Sequence, residues 1–194
     1  MIFGITGGSG SGKTTVSSML AEYGAEIIDT DKISREVTAR GSECLRELTE
    51  AFGTEILLPS GELDRRGLAR VAFANKEKTA LLSSITHKYI KSETLRRIER
   101  SDADLIGIDG AVIIGSPVQE LCEKIVYVTA PRDVRLGRIT ERDYLTRDEA
   151  EKRLDAQPDD EFYIKHSDYV INNSSDLDAL KRSVRELYDK IKGV

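Results

Sequence analysis

The stretch Gly7–Thr14, GGSGSGKT, constrains this chain more than any other feature. It fits the phosphate-loop pattern G-x-x-x-x-G-K-[ST], and it follows the apolar run Ile2–Thr6 and precedes residues with helical spacing, Lys13–Tyr23. Glycines let the backbone curl around an anion, and the helix that follows adds the partial positive charge of its first turn. The pattern therefore predicts a strand, a phosphate-binding loop and a helix in succession.

Two side chains of the loop have a defined chemical expectation. Lys13 is expected to be an exposed side chain that reaches the β- and γ-phosphates of ATP, and the Thr14 hydroxyl is expected to be a ligand of Mg²⁺. The alternative is a strand–helix turn, rich in Gly and Ser, that binds nothing. The residues of this region predicted to bind ATP are Gly7, Gly8, Ser9, Gly10, Ser11, Gly12, Lys13, Thr14 and Thr15.

Four further short apolar runs predict strands. They are Ala25–Asp29, Asp104–Asp109, Lys124–Thr129 and Asp168–Asn172. Helical segments separate them, which is typical of a parallel sheet covered on both faces. We therefore expect a three-layer α/β fold of the P-loop NTPase type, with a five-stranded parallel sheet.

One domain is expected over residues 1–194, with two specialised segments inside it. Residues 30–103 show mostly helical patterns and are too long for one crossover, so they predict a helical subdomain that binds the acceptor. Residues 132–166 are helix-prone and too charged to be buried, which favours a lid; the alternative is a solvated helical pair. The predicted helices of the first segment are Ile33–Ala39, Ser42–Phe52, Arg65–Phe73 and Lys76–Arg100.

Composition excludes several classes of function. The chain has 29 Lys and Arg residues against 34 Asp and Glu residues, and a net charge of −5 argues against a nucleic-acid-binding protein. No run approaches the roughly 18 apolar residues of a membrane span, and we expect no membrane contact. Cys44 and Cys122 form no CxxC pair, so a reduced, cytoplasmic protein is expected. The oligomeric state is left open.

Carboxylates at the predicted strand ends are candidates for catalysis and metal binding. Asp29 and Asp31 follow the second strand, where a carboxylate could accept the proton of an attacking hydroxyl; the alternative is a cap for a helix starting near Lys32. Asp109 ends the third strand, where it could bind Mg²⁺ directly or through water; the alternative is an acid that merely ends the strand. The chain lacks the N-K-x-D element of a GTPase, which favours a kinase.

Arg138 and Arg142 are candidates for binding the phosphates of ATP. They lie one helical turn apart on one face of a predicted helix. A guanidinium group donates to two oxygens at once, which suits a transferring phosphoryl group. The alternative is surface pairing with Glu141 or Asp143.

These residues resemble the dephospho-coenzyme A kinases over nearly the whole chain. The resemblance implies transfer of the ATP γ-phosphoryl group to the ribose 3′-hydroxyl of dephospho-coenzyme A, with ATP and Mg²⁺ required. The segments that carry it are ITGGSGSGKTTV, GAEIIDTDKISREV, DRRGLARVAF, THKYI, RLGRITERD, the Arg153 and Gln157 pair, and SDYVINN.

The resemblance also implies roles for individual residues. Asp31 matches the family's base, and Arg138 and Arg142 match arginines near the ATP phosphates and adenine. Arg35, Arg65 and His87 fall in the acceptor-side helical region, although a lone His in such a segment can also be structural. With Lys13, the predicted catalytic residues are Asp31 and Arg138. The predicted acceptor-side residues are Asp29, Asp31, Arg35, Arg65, His87 and Asp109.

The sequence departs from this family at two places. The family's Asp-x-Pro-Leu-Leu-x-Glu is here DGAVIIG, so Ala111 replaces the Pro and Gly115 replaces the Glu, and the family's His-Pro is His87-Lys88. Gly110 and Gly115 should make this stretch more flexible, so that it holds the acceptor less firmly. The substitutions Ala111→Pro and Gly115→Glu are therefore expected to raise kcat/KM for the acceptor. A P-loop kinase for another nucleotide or small alcohol, and a non-catalytic nucleotide-binding protein, stay open as alternatives.

Overall fold

Five short strands form one parallel sheet in the computed structural model, which describes residues 1–174 and 176–193. The strands are β1 (Ile2–Thr6), β2 (Glu26–Asp29), β3 (Ile106–Asp109), β4 (Lys124–Thr129) and β5 (Tyr169–Asn172). Across the sheet they are ordered β2-β3-β1-β4-β5. The predicted parallel α/β sheet is confirmed, and β2, β3 and β5 begin one or two residues later than predicted.

The sheet belongs to a unit made of residues 1–29 and 101–194, and its central strands are apolar because both faces are covered. On one face, α1 (Lys13–Glu22) and α9 (Leu177–Lys192) pack against side chains of β1 and β4. Each fully buried aliphatic side chain here contributes about 2 kcal/mol. The buried stripe of α9, at three- and four-residue spacing, is Leu180, Val184, Leu187 and Ile191.

Segments between the strands cover the opposite face of the sheet. The helix α8 (Asp160–Lys165) lies against β4, where the Tyr163 and Tyr127 rings stack with their centroids 4.8 Å apart. A Cβ atom on Gly4 would lie 2.8 Å from the Ile125 side chain, so a larger residue at this point of β1 would force that side chain to move.

The charged block between β4 and β5 contains α6 (Arg132–Asp143), α7 (Arg147–Asp155) and α8. The charged side chains of this block are mostly exposed, as expected, but the block also has a buried part. Its apolar residues recur at helical spacing and form a cluster of their own, and Arg135 is only 8% exposed. The clustered side chains are Leu136, Ile139, Ala150 and Leu154.

Residues 30–100 form a second, helical unit. Ser42 caps the helix Glu43–Phe52 and Asp64 caps the helix Arg65–Ala72, each through a side-chain oxygen. Leu57 and Leu63 form an isolated antiparallel β-bridge across a turn. The helices are α2 (Thr30–Val37), α3 (Glu43–Phe52), α4 (Arg65–Ala72) and α5 (Lys76–Arg100). The core contains Cys44, Leu48, Phe52, Ile56, Leu68, Ala72 and Ile85.

The carboxyl ends of the strands bring several polar residues to one edge of the sheet. The register places Asp109 of β3 beside Ile5 of β1 and beside Asp29 of β2. On the other side of β1, Thr129 of β4 lies beside Asn172 of β5. Ligands of open parallel sheets bind at this edge, where the strand order reverses, and here the reversal lies at β1.

Candidate active site

The phosphate loop joins β1 to α1 at this edge, and its glycines are required on two grounds. Gly10 and Gly12 have φ angles of 76° and 86°, where residues with a side chain are strained. A Cβ atom on Gly7 would lie 2.5 Å from the carbonyl oxygen of Val128, and one on Gly10 would lie 2.6 Å from that of Arg135. Both the backbone conformation and the neighbouring backbone atoms therefore exclude larger residues.

Two side chains hold the loop through its carbonyl oxygens. Arg138 Nη1 donates to the carbonyls of Gly10 and Ser11 at 3.1 and 3.3 Å, and its Nη2 donates to the carbonyl of Asn173 at 3.2 Å. Asn173 Nδ2 donates to the Ser11 carbonyl at 2.9 Å. The first N–H groups of α1 have no partner within the helix, so a loop held through its carbonyls keeps amides for an anion.

Lys13 and Asp109 form an ion pair at the base of the loop. Asp109 is 7% exposed, and its second oxygen accepts a hydrogen bond of 2.6 Å from the Ser17 hydroxyl of α1. The expectation that Lys13 is an exposed loop side chain is wrong: the side chain is 15% exposed because it lies against this buried acid. The structure thus brings the predicted phosphate-binding cation and the predicted metal-binding acid together.

The other predicted acids lie at or just after the end of β2. Asp29 is exposed and neighbours Asp109 in the sheet register. The helix α2 begins at Thr30, two residues earlier than the capping alternative assumes, so Asp31 lies inside its first turn. An acid in that position stabilises a helix by about 0.3–1 kcal/mol, whatever its chemical role.

Arg142 lies one turn beyond Arg138 but makes different contacts. Its side chain is 61% exposed and pairs with Asp143 at 2.8 Å, and Arg153 pairs with the same carboxylate at 2.6 Å. The hydrogen bond from Arg142 holds the pKa of Asp143 below its usual range. Arg138 therefore contacts the phosphate loop. Arg142 instead forms a surface ion pair with Asp143, which was the alternative to phosphate binding.

The acceptor-side candidates Arg35, Arg65 and His87 all lie in the helical unit, on α2, α4 and α5. Arg65 donates from Nη2 to the Thr38 hydroxyl at 3.2 Å. His87 is half-buried, and burial lowers the pKa of its imidazole, so the ring is neutral at physiological pH. A neutral imidazole can donate one hydrogen bond and accept another.

Both departures from the resembled family have a structural account. Lys88 pairs with Glu47 at 2.6 Å and so fastens α5 to α3. In the stretch after β3, Ile113 is 1% exposed and the Gly115 N–H donates to Gln119 Oε1 at 2.7 Å, so the stretch is anchored where looseness was expected. Gly115 has a φ of 78°, so restoring Glu there would change folding stability as well as acceptor binding.

Gly115→Ala is expected to lower the free energy of unfolding by about 1 kcal/mol, because its φ is unfavourable for any residue with a Cβ atom. A Cβ there would meet no described atom within 4 Å, which leaves conformational strain as the cause. Gly137→Ala is the matched control: its site in α6 is equally open but helical, and Ala should add about 0.5–1 kcal/mol. Urea unfolding measures the free energy of unfolding of both variants. A Gly115→Ala variant as stable as the parent protein would show that the backbone at residue 115 is not strained by a side chain.

Four residues at the loop were given no individual role from the sequence. Ser17 holds Asp109, Asn173 holds the Ser11 carbonyl, and Arg135 and Gln157 bind the backbone and side chain of Ser9. Three of them, Arg135, Gln157 and Asn173, lie in the segments that carry the family resemblance, and this is the signal that could have indicated them. Ser17 carries no such signal.

The residues at this edge fit a nucleotide with magnesium. Asp29, Asp109 and Thr14 present only oxygen atoms, the donors Mg²⁺ prefers, and Mg²⁺ takes few protein ligands beside water and phosphate. The Ser11 hydroxyl is buried and has no hydrogen-bond partner among the described residues. Within residues 1–174 and 176–193, no group of three or more His, Cys, Asp or Glu could hold a metal.

Comparisons with known proteins match these features along the chain. A sequence model of the family described as CoaE: Dephospho-CoA kinase matches residues 1–179. A dephospho-CoA kinase of Moorella thermoacetica is 38% identical over 194 residues, which cover 98% of this chain and 92% of that protein. The family match takes in the phosphate loop, the helical unit and the charged block.

Two solved structures share the fold. TT1252 of Thermus thermophilus superposes with a TM-score of 0.85 at 28% identity, covering 98% of this chain and 97% of that one. A dephospho-CoA kinase from Campylobacter jejuni gives a TM-score of 0.70 at 23% identity, covering 99% and 97%. At that identity the second likeness shows the architecture alone.

Proposed function

The chain belongs to the dephospho-CoA kinase family, and we propose that it transfers the γ-phosphoryl group of ATP to the ribose 3′-hydroxyl of dephospho-CoA, giving CoA and ADP. The observation that supports this most directly is the Lys13–Asp109 pair beneath a braced glycine loop. A cation and an acid beside an anion-binding loop are what phosphoryl transfer from a nucleotide requires.

The phosphate end of the site acts through charge. In the transition state, negative charge is spread over the oxygens of the transferring group. The Lys13 ammonium and the loop amides are positioned before reaction, so they stabilise that charge with little reorganisation. Arg138 contributes by fixing the Gly10 and Ser11 carbonyls. Arg142 is proposed to bind nearer the adenine, after leaving its pair with Asp143.

Asp29, Asp109 and Thr14 are the residues that would hold Mg²⁺. The ion, when bound, neutralises charge on the β- and γ-phosphate oxygens. Ser17 keeps one oxygen of Asp109 in place through a hydrogen bond of 2.6 Å, and Lys13 occupies the other. Lys13 and Ser17 both belong to α1, which follows the phosphate loop, so this helix orients the carboxylate.

Asp31 is the proposed general base. The 3′-oxygen of the acceptor forms a bond to the γ-phosphorus, the bond from that phosphorus to the β–γ bridging oxygen breaks, and the hydroxyl proton passes to the Asp31 carboxylate. Arg35 and Arg65 are exposed cations suited to the acceptor's phosphates, and the neutral His87 can hydrogen-bond it.

A coupled ADP-release assay with a panel of acceptors tests the substrate. The panel contains dephospho-CoA, adenosine, AMP and pantetheine, and dephospho-CoA is expected to be phosphorylated fastest. Mass spectrometry of the product should show one added phosphate on the ribose. The altered residues Ala111 and Gly115 favour one rival, a kinase for another nucleotide or alcohol. Faster phosphorylation of adenosine or AMP would support that rival, and ATP binding without any transfer would support a non-catalytic protein.

Residues 132–166 are proposed to act as a lid over ATP, excluding water that would otherwise hydrolyse it. Arg135 and Tyr163 already bind the loop and β4, so the closing part should be the α6–α7 connection, where Tyr144 is 95% exposed. Hydrogen exchange of residues 142–153 is expected to slow when a nonhydrolysable ATP analogue and dephospho-CoA are added. Unchanged exchange in this segment would contradict a lid.

The proposed partners are small molecules, and the proposed location is the cytoplasm. No helix among the described residues is both long and apolar enough for a membrane span. Burial raises the pKa of the Cys44 thiol to about 11 and that of Cys122 to about 12, so both remain protonated and unreactive. Neither thiol has a disulfide partner among the described residues.

A further inference from the structure

Ser9, at the tip of the phosphate loop, has each of its polar groups bound by a side chain of the charged block. Gln157 Oε1 accepts from the Ser9 N–H at 3.0 Å, and Gln157 Nε2 donates to Ser9 Oγ at 2.9 Å. Arg135 Nε donates to the Ser9 carbonyl at 3.0 Å. The N–H and the carbonyl are both fixed, so the backbone of this residue cannot turn without breaking one of these bonds.

A partly buried network connects this contact to the sheet. Arg135 is 8% exposed; its Nη2 donates to Gln157 Oε1 at 3.1 Å and its Nη1 donates to Asp160 Oδ1 at 3.2 Å. Asp160 also accepts hydrogen bonds from Tyr127 Oη at 2.6 Å and from Thr129 Oγ1 at 2.9 Å, both on β4. The Gln157 amide is therefore held in one orientation, with two donors on its oxygen.

The chemistry of the amide suits a residue beside an anion site. A carboxylate could accept the same bonds from Ser9 and Arg135, but it would add a negative charge next to the loop that binds phosphates. We propose that Gln157 is a positioning residue that holds the phosphate loop in its ATP-binding conformation without adding charge to it. This inference depends on the proposed function in one respect only, which is that ATP is the ligand of the phosphate loop.

The first arm of the test is Gln157→Ala. Without nucleotide, the Ser9 amide should exchange its hydrogen faster, because its acceptor is gone. The KM for ATP should rise about tenfold, since a binding-competent conformation that is populated less lowers apparent affinity in proportion. Bound ATP restores the loop, so kcat should stay within about threefold, and the KM for dephospho-CoA should not change.

The second arm is Gln157→Glu, which keeps an acceptor for Ser9 and Arg135 but adds a charge. Exchange at Ser9 should match the parent protein, whereas the KM for ATP should rise at low salt and return toward the parent value at high salt, because salt screens the added charge. Asp155→Ala is the matched control. Asp155 lies two residues earlier and makes an exposed pair with Arg132 at 2.6 Å instead of a bond to Ser9, so neither exchange at Ser9 nor KM should change.

A different result in the first arm would overturn the proposal. If Gln157→Ala lowers the melting temperature and kcat but leaves the KM for ATP and the exchange of Ser9 unchanged, Gln157 merely supports the fold. Calorimetry with a nonhydrolysable ATP analogue and no acceptor gives a readout independent of turnover. If dephospho-CoA fails as the acceptor, the exchange and calorimetry arms still decide the role of Gln157.

Discussion

Lys13→Ala is expected to abolish turnover, with kcat reduced by about 10³-fold, the scale of losing a main donor to the transition-state charge. The variant keeps the loop amides and the Arg138 contacts but lacks the ammonium group at the transferring phosphoryl. The coupled ADP-release assay at saturating ATP and dephospho-CoA measures the effect. Turnover near that of the parent protein would contradict the assignment of the loop.

The same substitution is expected to cost stability, because Lys13 partners a buried acid. Its removal takes away the ammonium group that pairs with the buried Asp109 carboxylate, which costs about 3 kcal/mol. The double variant Lys13→Ala with Asp109→Asn removes that buried charge and should regain stability while staying inactive, which separates the loss of chemistry from a loss of folding. Lys124→Ala is the matched control: it breaks an exposed pair with Asp168 at 2.8 Å and should leave kcat unchanged.

The local parts of this architecture could be predicted from the sequence because each is encoded within a few neighbouring residues. The loop joins an apolar run to a helical pattern, and its glycines occupy the positions where the backbone takes positive φ at Gly10 and Gly12. Asp109 was identified because it ends an apolar run, and parallel strands bring such ends to one edge.

The support of the loop could not be predicted, because its contacts join distant parts of the chain. Gln157 and Ser9 are 148 residues apart, and Asn173 and Ser11 are 162 residues apart. Arg135 stands in a run of charges that is typical of a solvated surface, and its ion pair with the half-exposed Asp160 is what offsets the cost of its burial. The sequence shows a charge but not its partner, so the exposure of Lys13 was also predicted wrongly.

Asp31→Asn is expected to lower kcat by about 10²-fold or more while the KM for ATP stays within a few-fold, the usual scale of losing a general base. Asn keeps the size of the side chain but cannot take the proton of the 3′-hydroxyl. Asp31 lies in the first turn of α2, so the substitution should also cost about 0.3–1 kcal/mol of stability through the helix dipole. Steady-state kinetics and thermal unfolding of the same preparation measure the two effects separately.

Glu43→Gln is the matched control for the helix-dipole effect. Glu43 is exposed and lies in the first turn of α3, so neutralising it should cost a similar amount of stability and leave kcat unchanged. Asp29→Asn should reduce kcat less than Asp31→Asn if Asp29 positions neighbouring groups and accepts no proton. An Asp31→Asn variant that loses stability as Glu43→Gln does, but keeps its kcat, would show that Asp31 serves the helix and that the proton leaves the acceptor by another route.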